Sequence, residues 1–216
     1  MRVLLTAGPT YEPLDPVRYL GNRSTGKMGY ALAEAFALRG ADVALVSGPT
    51  HLPDPSNPRV RIRRVETAAE MLAVAEKAAE EADIWVFAAA VADYRPAQIA
   101  TEKIKKMGDT LTLALVKNVD IALALSQNKR PEQFSVGFAL ETTNELAHAQ
   151  AKLHRKGFDL IVLNSLRDPG AGFGHDTNKV TVLDAAGEVV TFELQSKADV
   201  ARGLVDLILA RAAPTP

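Results

Sequence analysis

The sequence predicts an α/β fold, a Rossmann-like three-layer sandwich with a mostly parallel sheet and helices on both faces. Two observations carry this prediction. Short apolar runs alternate with amphipathic helical stretches, which is typical of parallel strands buried on both faces. The chain has 216 residues, 47% of them hydrophobic, which is enough for the core of one domain. We therefore expect a single domain over residues 1–216.

The predicted elements follow in chain order from the hydrophobic periodicity. Strands are expected at residues 3–6, 42–47, 59–65, 83–88, 134–140 and 158–163. Helices are expected at residues 28–39, 68–81, 143–156 and 197–211. Gly40 should end the first helix, and Thr67 should cap the second, because a threonine hydroxyl accepts from free N–H groups of the first turn.

Two segments depart from this strand–helix alternation. Residues 110–116 have the apolar alternation of a further strand. Residues 179–183 and 189–193 flank a short polar turn and predict a late hairpin at 178–194. The hairpin is expected either to extend the sheet in the antiparallel sense or to form a dimer contact. The last residues, 213–216, are expected to fray.

Composition excludes several classes of function. The formal net charge of −1 gives no overall attraction to nucleic acid or membrane, so neither is expected as a partner and an anion site must be a local cluster. The absence of cysteine excludes disulfides, cysteine-ligated metals and a cysteine nucleophile. The first apolar run is too short for a signal peptide or a membrane span, so a cytoplasmic location is the default expectation.

The first strand is followed by an unusually long connection that ends in small residues. Ser24, Thr25, Gly26 and Lys27 stand where the first helix begins, and a helix N-terminus favours an anion. This pattern indicates a phosphate site, and a capped helix with glycines for tight packing is the alternative. A true P-loop is rejected because Met28 stands where Ser or Thr would hold Mg²⁺, and NAD binding is disfavoured because no complete Gly-x-Gly-x-x-Gly is present.

Four further loops are candidates for the site, because ligands of open α/β sheets bind at the ends of strands. Residues 88–95 are small enough for a flat ligand to approach the backbone, and Asp93 is placed to accept from a base or sugar, or to cap a helix. Residues 102–106 hold three lysines suited to a triphosphate, or are a solvated loop. Phe138 lies at the end of another strand and is either a stacking ring or a core residue. Before a predicted helix, Asn118 or Asp120 can serve as its cap.

Several collinear segments together resemble the phosphopantothenate–cysteine ligases, the synthetase half of a bifunctional bacterial flavoprotein of coenzyme A biosynthesis. The matching segments are residues 6–19, 22–29, 46–49, 88–94, 102–106, 116–118 and 137–142. The resemblance implies joining of 4′-phosphopantothenate to L-cysteine through an acyl-nucleotidylate, with CTP and Mg²⁺ in bacteria and ATP in eukaryotic relatives. It also implies a homodimer with the late hairpin in its interface, and a decarboxylase that is fused or separate. No flavin is expected in this chain.

The resemblance also implies roles for individual residues. Asn22 would bind the carbonyl oxygen of the acyl-nucleotidylate, and Lys103 would bind the triphosphate; these are the expected catalytic residues. Arg18, Asn22 and Ala90 would bind phosphopantothenate. The expected nucleotide-binding residues are Gly8, Ser24, Thr25, Gly26, Lys27, Phe87, Ala88, Ala89, Asp93, Lys103, Val119, Asp120, Ile121, Ala122, Phe138, Lys152 and Lys156. No metal ligand is assigned, and Mg²⁺ is expected to be held mainly by the triphosphate.

The sequence departs from the family pattern in three places. Ser165 and Leu166 follow Asn164 where Asp and Val are usual, Gly21 replaces a serine, and residues 106–110 are too short for a large lid. Two alternative functions stay open from the residues alone. One is a nucleotide-binding module without catalysis, and the other is an NADP-dependent reductase.

Overall fold

A central sheet organises the computed structural model, which describes residues 1–106, 108–165, 170 and 172–213. The strands of these residues are β1 Arg2–Ala7, β2 Tyr11–Pro13, β3 Tyr19–Gly21, β4 Asp42–Ser47, β5 Val60–Arg64, β6 Ile84–Phe87, β7 Tyr94–Pro96, β8 Leu115–Lys117, β9 Phe134–Glu141, β10 Leu160–Ser165, β11 Thr177–Asp184 and β12 Gly187–Ser196. The helices are α1 Lys27–Leu38, α2 Ala68–Ala79, α3 Ile121–Ser126, α4 Glu145–Lys156 and α5 Lys197–Ala212. The alternation read from the sequence therefore predicts most elements to within a few residues.

Within the described residues, eight strands form the main sheet in the order β12-β11-β10-β9-β6-β1-β4-β5. From β10 to β5 every neighbouring pair is parallel. The late hairpin continues the sheet, because β11 pairs antiparallel with β10 and β12 with β11. The sheet-extension alternative is thus confirmed, and β12 forms one edge. The α/β sandwich with an antiparallel extension is the fold that the sequence predicts.

Two apolar layers cover the sheet, one on each face. One layer packs α1 and α5 against the sheet, with Phe36 and Leu204 among its fully buried side chains. The other packs α2, α3 and α4 against the opposite face, with Met71 and Leu153 among its buried residues. Neighbouring residues of β1 alternate between these layers, since side chains of a strand point to opposite faces in turn. This arrangement leaves the strand ends free to carry the loops of a site.

The helix starts show how the first connection is fastened to the second face. Thr67 caps α2, and its Oγ1 accepts from the Glu70 N–H at 3.2 Å, as predicted. The buried Glu12 of β2 adds a second cap, because its Oε1 accepts from the Ala68 N–H at 2.9 Å. Tyr11 N–H also donates to the Glu66 carbonyl at 2.8 Å. The β2–β3 hairpin is therefore anchored directly on the beginning of α2.

Three local predictions differ from the structure. The strand predicted at 110–116 is wrong for most of its length, because only Leu115–Lys117 pairs, with the three residues of β7. The short strands β2 and β3 were not predicted at all. Phe158 precedes β10 instead of opening it, since Gly157 ends α4 with a φ of 64°. Leu166 and residues 214–216, on which two further predictions depend, lie outside the described residues.

Candidate functional site

A cleft of about 700 Å³ opens at the carboxyl ends of β1, β6, β9 and β10. It lies where the chain turns from one half of the sheet to the other, the position at which open α/β sheets bind ligands. Most residues predicted for the site come together there. The predicted residues that line the cleft are Asn22, Ser24, Thr25, Gly26, Lys27, Phe87, Ala88, Ala89, Ala90, Asp93, Val119, Asp120, Ile121, Ala122, Phe138, Lys152 and Lys156.

The loop that follows β6 forms the centre of the cleft and is held by backbone and side-chain hydrogen bonds. On one side, Ala90 N–H donates to the Gly8 carbonyl at 2.9 Å, and Ala92 N–H donates to Thr10 Oγ1 at 2.9 Å. On the other side, Asn118 Nδ2 donates to the Ala92 carbonyl at 2.8 Å. Asn118 is buried, so it supports this loop instead of capping α3. Rigid small residues here leave space for a ligand close to the backbone.

The start of α1 forms a second wall of the cleft. Gly26 has a φ of 79°, a left-handed conformation that strains other residues, and no side chain caps the helix. At Gly29, a Cβ would lie 2.5 Å from the Ala7 Cβ, so glycine allows α1 to pack closely on β1. Lys27 Nζ lies 2.6 Å from a carboxylate oxygen of Asp176. The uncapped N–H groups together with this lysine suit an anion.

Asn22 lies beside the central loop and uses its amide to hold it. The Nδ2 group donates to the Ala90 carbonyl at 3.0 Å and to the Val91 carbonyl at 3.1 Å. The side chain is therefore fixed at the cleft surface by the same loop that would carry the ligand.

Helix α4 supplies a pair of lysines to the far part of the cleft. Lys152 Nζ donates to the Phe138 carbonyl at 2.9 Å, and burial together with the charge of Lys156 lowers the pKa of Lys152. Lys156 Nζ pairs with Asp120 Oδ1 at 2.9 Å. Burial alone would raise the pKa of Asp120, but the hydrogen bond and charge of Lys156 outweigh it and hold this pKa below its usual range. Asp120 also caps α3 by accepting from Leu123 N–H at 3.2 Å.

Positive charge dominates the cleft lining. Among the described residues, six basic side chains line it against two carboxylates, Asp93 and Asp120, and the second of these is already paired with Lys156. The basic residues are Lys27, Lys117, Lys152, Arg155, Lys156 and Lys197. Although the whole chain is nearly neutral, this local field attracts a multiply charged anion.

Three predicted site residues do not line the cleft. Gly8 lies behind the central loop, where its carbonyl accepts from Ala90 N–H. Arg18 donates two hydrogen bonds to Asp15 and a third to the Ile104 carbonyl at 3.0 Å. Lys103 is exposed next to that anchored Ile104. The buried Asp15 side chain also accepts from Ile104 N–H, and the Arg18 guanidinium holds the pKa of Asp15 well below its usual range.

Several cleft residues were missed by reasoning from the sequence. Lys117, Arg155, Asn164, Phe173 and Lys197 line the cleft in addition to the predicted set. Asn164 carried a usable signal, because it is a polar residue at the end of an apolar strand. Lys197 and Phe173 carried none, since both come from the far end of the chain.

Two kinds of site are absent from the described residues. Across the described ranges, no three His, Asp or Glu side chains gather closely enough to hold a metal ion. In the same part of the chain, no helix is sufficiently long and apolar to span a membrane.

The fold and the cleft define an α/β protein with a cationic ligand site at the switch point of its sheet. The particular family is equally plain: residues 1–211 match the family described as DNA/pantothenate metabolism flavoprotein C-terminal domain, and the chain belongs to it. A crystal structure of the C-terminal domain of the coenzyme A biosynthesis bifunctional protein CoaBC superimposes with a TM-score of 0.82 and 40% identity, covering 97% of this chain and 94% of that one.

Two curated relatives are longer than this chain. CoaBC of Escherichia coli K12 is 45% identical over 214 residues, which are 98% of this chain and 52% of that protein. A protein named cysteine/cysteine sulfinic acid decarboxylase, from an unknown prokaryotic organism, is 47% identical over 208 residues, 96% of this chain and 58% of that protein. The chain thus spans between half and three-fifths of the relatives it matches.

Proposed function

We propose that this chain is a ligase of coenzyme A biosynthesis that joins 4′-phosphopantothenate to L-cysteine with consumption of CTP. The observation that carries the proposal is the cationic cleft, in which Asn22, Asp93, Phe138 and the two lysines of α4 meet. Membership in the C-terminal domain family of coenzyme A biosynthesis proteins supports the same pathway. A nucleoside triphosphate and a phosphorylated acid are both anions, and the positive charge of the cleft would attract both.

The chemistry proposed for the cleft needs two displacements. The carboxylate oxygen of phosphopantothenate attacks the α-phosphorus of CTP, and pyrophosphate leaves. The amine of cysteine then attacks the acyl carbonyl, loses a proton, and CMP leaves. Neither step requires a nucleophile from the protein, which agrees with the lack of cysteine in the chain. The contribution of the protein is to hold two anions together and to stabilise the charge that develops.

Asn22 is the residue best placed to act on the acyl group. Its amide lies at the cleft surface and donates to the Ala90 and Val91 carbonyls. We propose that one of these donors is transferred to the acyl carbonyl oxygen when the intermediate forms. The same contacts give Asn22 a second task, because they fix the loop against which the ligand lies.

The lysines of α4 would bind the nucleotide. Lys152 and Lys156 flank Phe138 and Asp120, so a base that stacks on the half-buried ring would lie within reach of both ammonium groups. CTP is proposed over ATP on the family resemblance alone. Lys103 keeps its proposed role toward the triphosphate, although it would have to approach from outside the cleft.

Mg²⁺ fits the cleft only together with a triphosphate. The main-chain carbonyl of Asp93 accepts from Asn118 N–H at 2.8 Å, whereas its carboxylate forms no hydrogen bond or ion pair with the described residues, so it is the carboxylate available to such an ion. When bound, Mg²⁺ would neutralise phosphate charge and favour loss of pyrophosphate. A decarboxylase, fused or separate, is proposed as the protein partner that takes up the product.

The test is pyrophosphate release with 4′-phosphopantothenate, L-cysteine and Mg²⁺, in parallel with CTP and with ATP. We expect release that depends on phosphopantothenate, together with a cysteine adduct detected by mass spectrometry. The variant Lys156→Gln should weaken CTP binding about tenfold, a loss of about 1.4 kcal/mol. Lys77→Gln, at an exposed position of α2, is the matched control and should change nothing. A folded wild-type protein that binds a nucleotide without releasing pyrophosphate would instead establish a binding module.

A further inference from the structure

A buried lysine at the start of α5 holds one segment of the cleft wall. Lys197 is only 7% exposed. Its Nζ donates to the Gly172 and Thr177 carbonyls, each at 3.0 Å, and to the His175 carbonyl. Its backbone N–H donates to the Asp176 carbonyl at 2.8 Å. One residue thus binds four carbonyls of a single stretch, residues 172–177, which we call the 172–177 loop.

These contacts use the full donor capacity of the ammonium group. A lysine has three N–H donors, and all three are directed to main-chain carbonyls. Burying a charge costs free energy unless the charge is well hydrogen-bonded. A neutral side chain would hold a loop in place at a smaller desolvation cost. Burial, and then the charge of Lys27, lower the pKa of Lys197, while Asp176 opposes them. A charge retained at this cost points to a role for the charge itself.

The 172–177 loop borders the ligand cleft. Gly172 and Phe173 line the cleft together with Lys197, and the Phe173 ring is 40% exposed. The loop also meets the start of α1, because the Asp176 carboxylate accepts from Lys27 Nζ at 2.6 Å. Buried Asn178 fixes the near end, with its Oδ1 accepting from Gly172 N–H at 3.3 Å. The cleft wall at this point therefore depends on Lys197 for its shape and for part of its charge.

We propose that Lys197 is a positioning residue for the ligase reaction: it holds the 172–177 loop in place so that Phe173 meets the bound substrate, and its charge adds to the field on the phosphate groups. The inference rests on the proposed function. It concerns a residue from the last helix, whereas the residues that the family resemblance assigns come from the earlier part of the chain.

The experiment compares steady-state kinetics of Lys197→Met, Lys197→Arg and Lys129→Met with the wild type. Lys129 is the matched control: its Nζ pairs with Asp159 and donates to Ser135 at 3.0 Å, it is mostly buried, and it does not line the cleft. We expect Lys197→Met to raise KM for a phosphate-bearing substrate about tenfold, whereas Lys129→Met lowers only the melting temperature. Lys197→Arg keeps the positive charge but carries it on a planar guanidinium group. Its KM should therefore lie between the KM of Lys197→Met and that of Lys129→Met.

Phe173→Ala keeps the inference testable if Lys197→Met does not fold. This ring is exposed, so its removal spares the core, and we expect a KM increase without loss of melting temperature. An unchanged KM in Phe173→Ala, or in a folded Lys197→Met, overturns the inference while the ligase activity of the wild type stands. A wild type that does not ligate overturns both proposals, and that result is visible before any variant is measured.

Discussion

At the scale of single residues, Asn22 has the most direct consequence for the proposed chemistry. An aspartate at this position accepts hydrogen bonds but donates none, so Asn22→Asp loses both contacts to the central loop. Because loss of one donor to a developing oxyanion costs about 100-fold or more, we expect kcat to fall by about that factor. The measurement is pyrophosphate release under single-turnover conditions, with CTP affinity determined by calorimetry.

Asn128→Asp is the control for this change, since Asn128 is exposed and does not line the cleft. Its turnover should match the wild type. If Asn22→Asp also turns over normally, Asn22 has no part in the chemistry.

The ion pair between Asp15 and Arg18 predicts that the stability of the folded state depends on pH. The pKa of its buried carboxyl is lowered by Arg18, so ionised Asp15 stabilises the folded state. The pKa of an aspartate in the unfolded chain is about 3.9. The contribution is therefore complete above that pH and is lost as the pH falls below it, toward the lower folded-state pKa. We expect urea unfolding to show a constant gap between wild type and Asp15→Asn from about pH 5 to 8.

Below about pH 4 the same gap should shrink, because the unfolded chain then binds a proton at Asp15 that the folded protein, with its lowered pKa, does not. A gap in unfolding free energy that stays constant down to pH 3 would contradict the prediction, because it would show that Arg18 does not lower the pKa of Asp15. Near-UV circular dichroism at each pH checks that both proteins start folded.

At the scale of elements, close packing of β9 against the end of α4 sets a limit on substitution. A Cβ at Gly137 would lie 2.1 Å from the Phe158 ring, which stacks on Phe87 at a centroid distance of 5.7 Å. Gly137→Ala should cost about 1–3 kcal/mol by overpacking. Urea denaturation measures it. Combined with Phe158→Leu, which shortens the obstructing group, the cost should be less than the sum of the two single changes.

Strict additivity in this double-mutant cycle would mean that the Phe158 ring moves aside freely. Phe158→Leu alone serves as the reference, since it removes the ring stacking without adding a methyl group to β9.

Elements with strong periodicity were predictable, and elements fixed by tertiary contacts were not. The apolar runs of β4 and β6 stand in the sequence nearly as they do in the sheet. In contrast, residues 110–114 alternate like a strand but belong to none of the described strand pairs, because β7 offers only three residues; the Ala114 carbonyl adds one hydrogen bond, from Ala97 N–H at 2.9 Å. The three-residue strands β2 and β3 are too short for any period to show.

The residues of the candidate site divide in the same way, into those that local sequence predicts and those that only tertiary packing brings to the cleft. Residues next to strand ends, such as Asp93 and Phe138, were found because the sheet brings strand ends together. Lys197 lies far along the chain and enters the cleft only through the packing of α5. Arg18 and Lys103 were expected in the cleft, but Arg18 is bound to Asp15 beside the lysine segment.

At the scale of the whole molecule, the uneven distribution of charge predicts that binding of a charged ligand weakens as the salt concentration rises. On the proposed function, the excess of basic residues in the cleft would attract CTP through a field that salt shortens from about 10 Å at 0.1 M to about 3 Å at 1 M. We expect the Kd for CTP to rise at least about tenfold over this range. Cytidine carries no charge and is the control ligand, so its Kd should stay nearly constant. Equal salt dependence of the two would place the nucleotide elsewhere.

A second prediction at this scale concerns oligomeric state. The family resemblance implies a homodimer with a contact at the late hairpin, where Leu194 is 50% exposed. A larger exposed apolar set lies on and beside β7 and β8, and it includes Ile99, Leu111, Leu113 and Leu115. We expect a homodimer in sedimentation velocity that uses this larger surface, so Leu113→Lys should yield monomers. Dissociation by Leu194→Lys instead would assign the interface to the hairpin.

The way the cleft is assembled has a consequence for the timing of folding in the cell. Its walls combine the start of α1, near the beginning of the chain, with Lys197 at the start of the last helix. Helix α1 also packs against α5, and Arg39 forms two hydrogen bonds with Asp206 at 3.0 and 2.8 Å. A nascent chain that still lacks α5 therefore exposes one apolar face and has no complete cleft. Ligand binding becomes possible only once synthesis has reached the final helix.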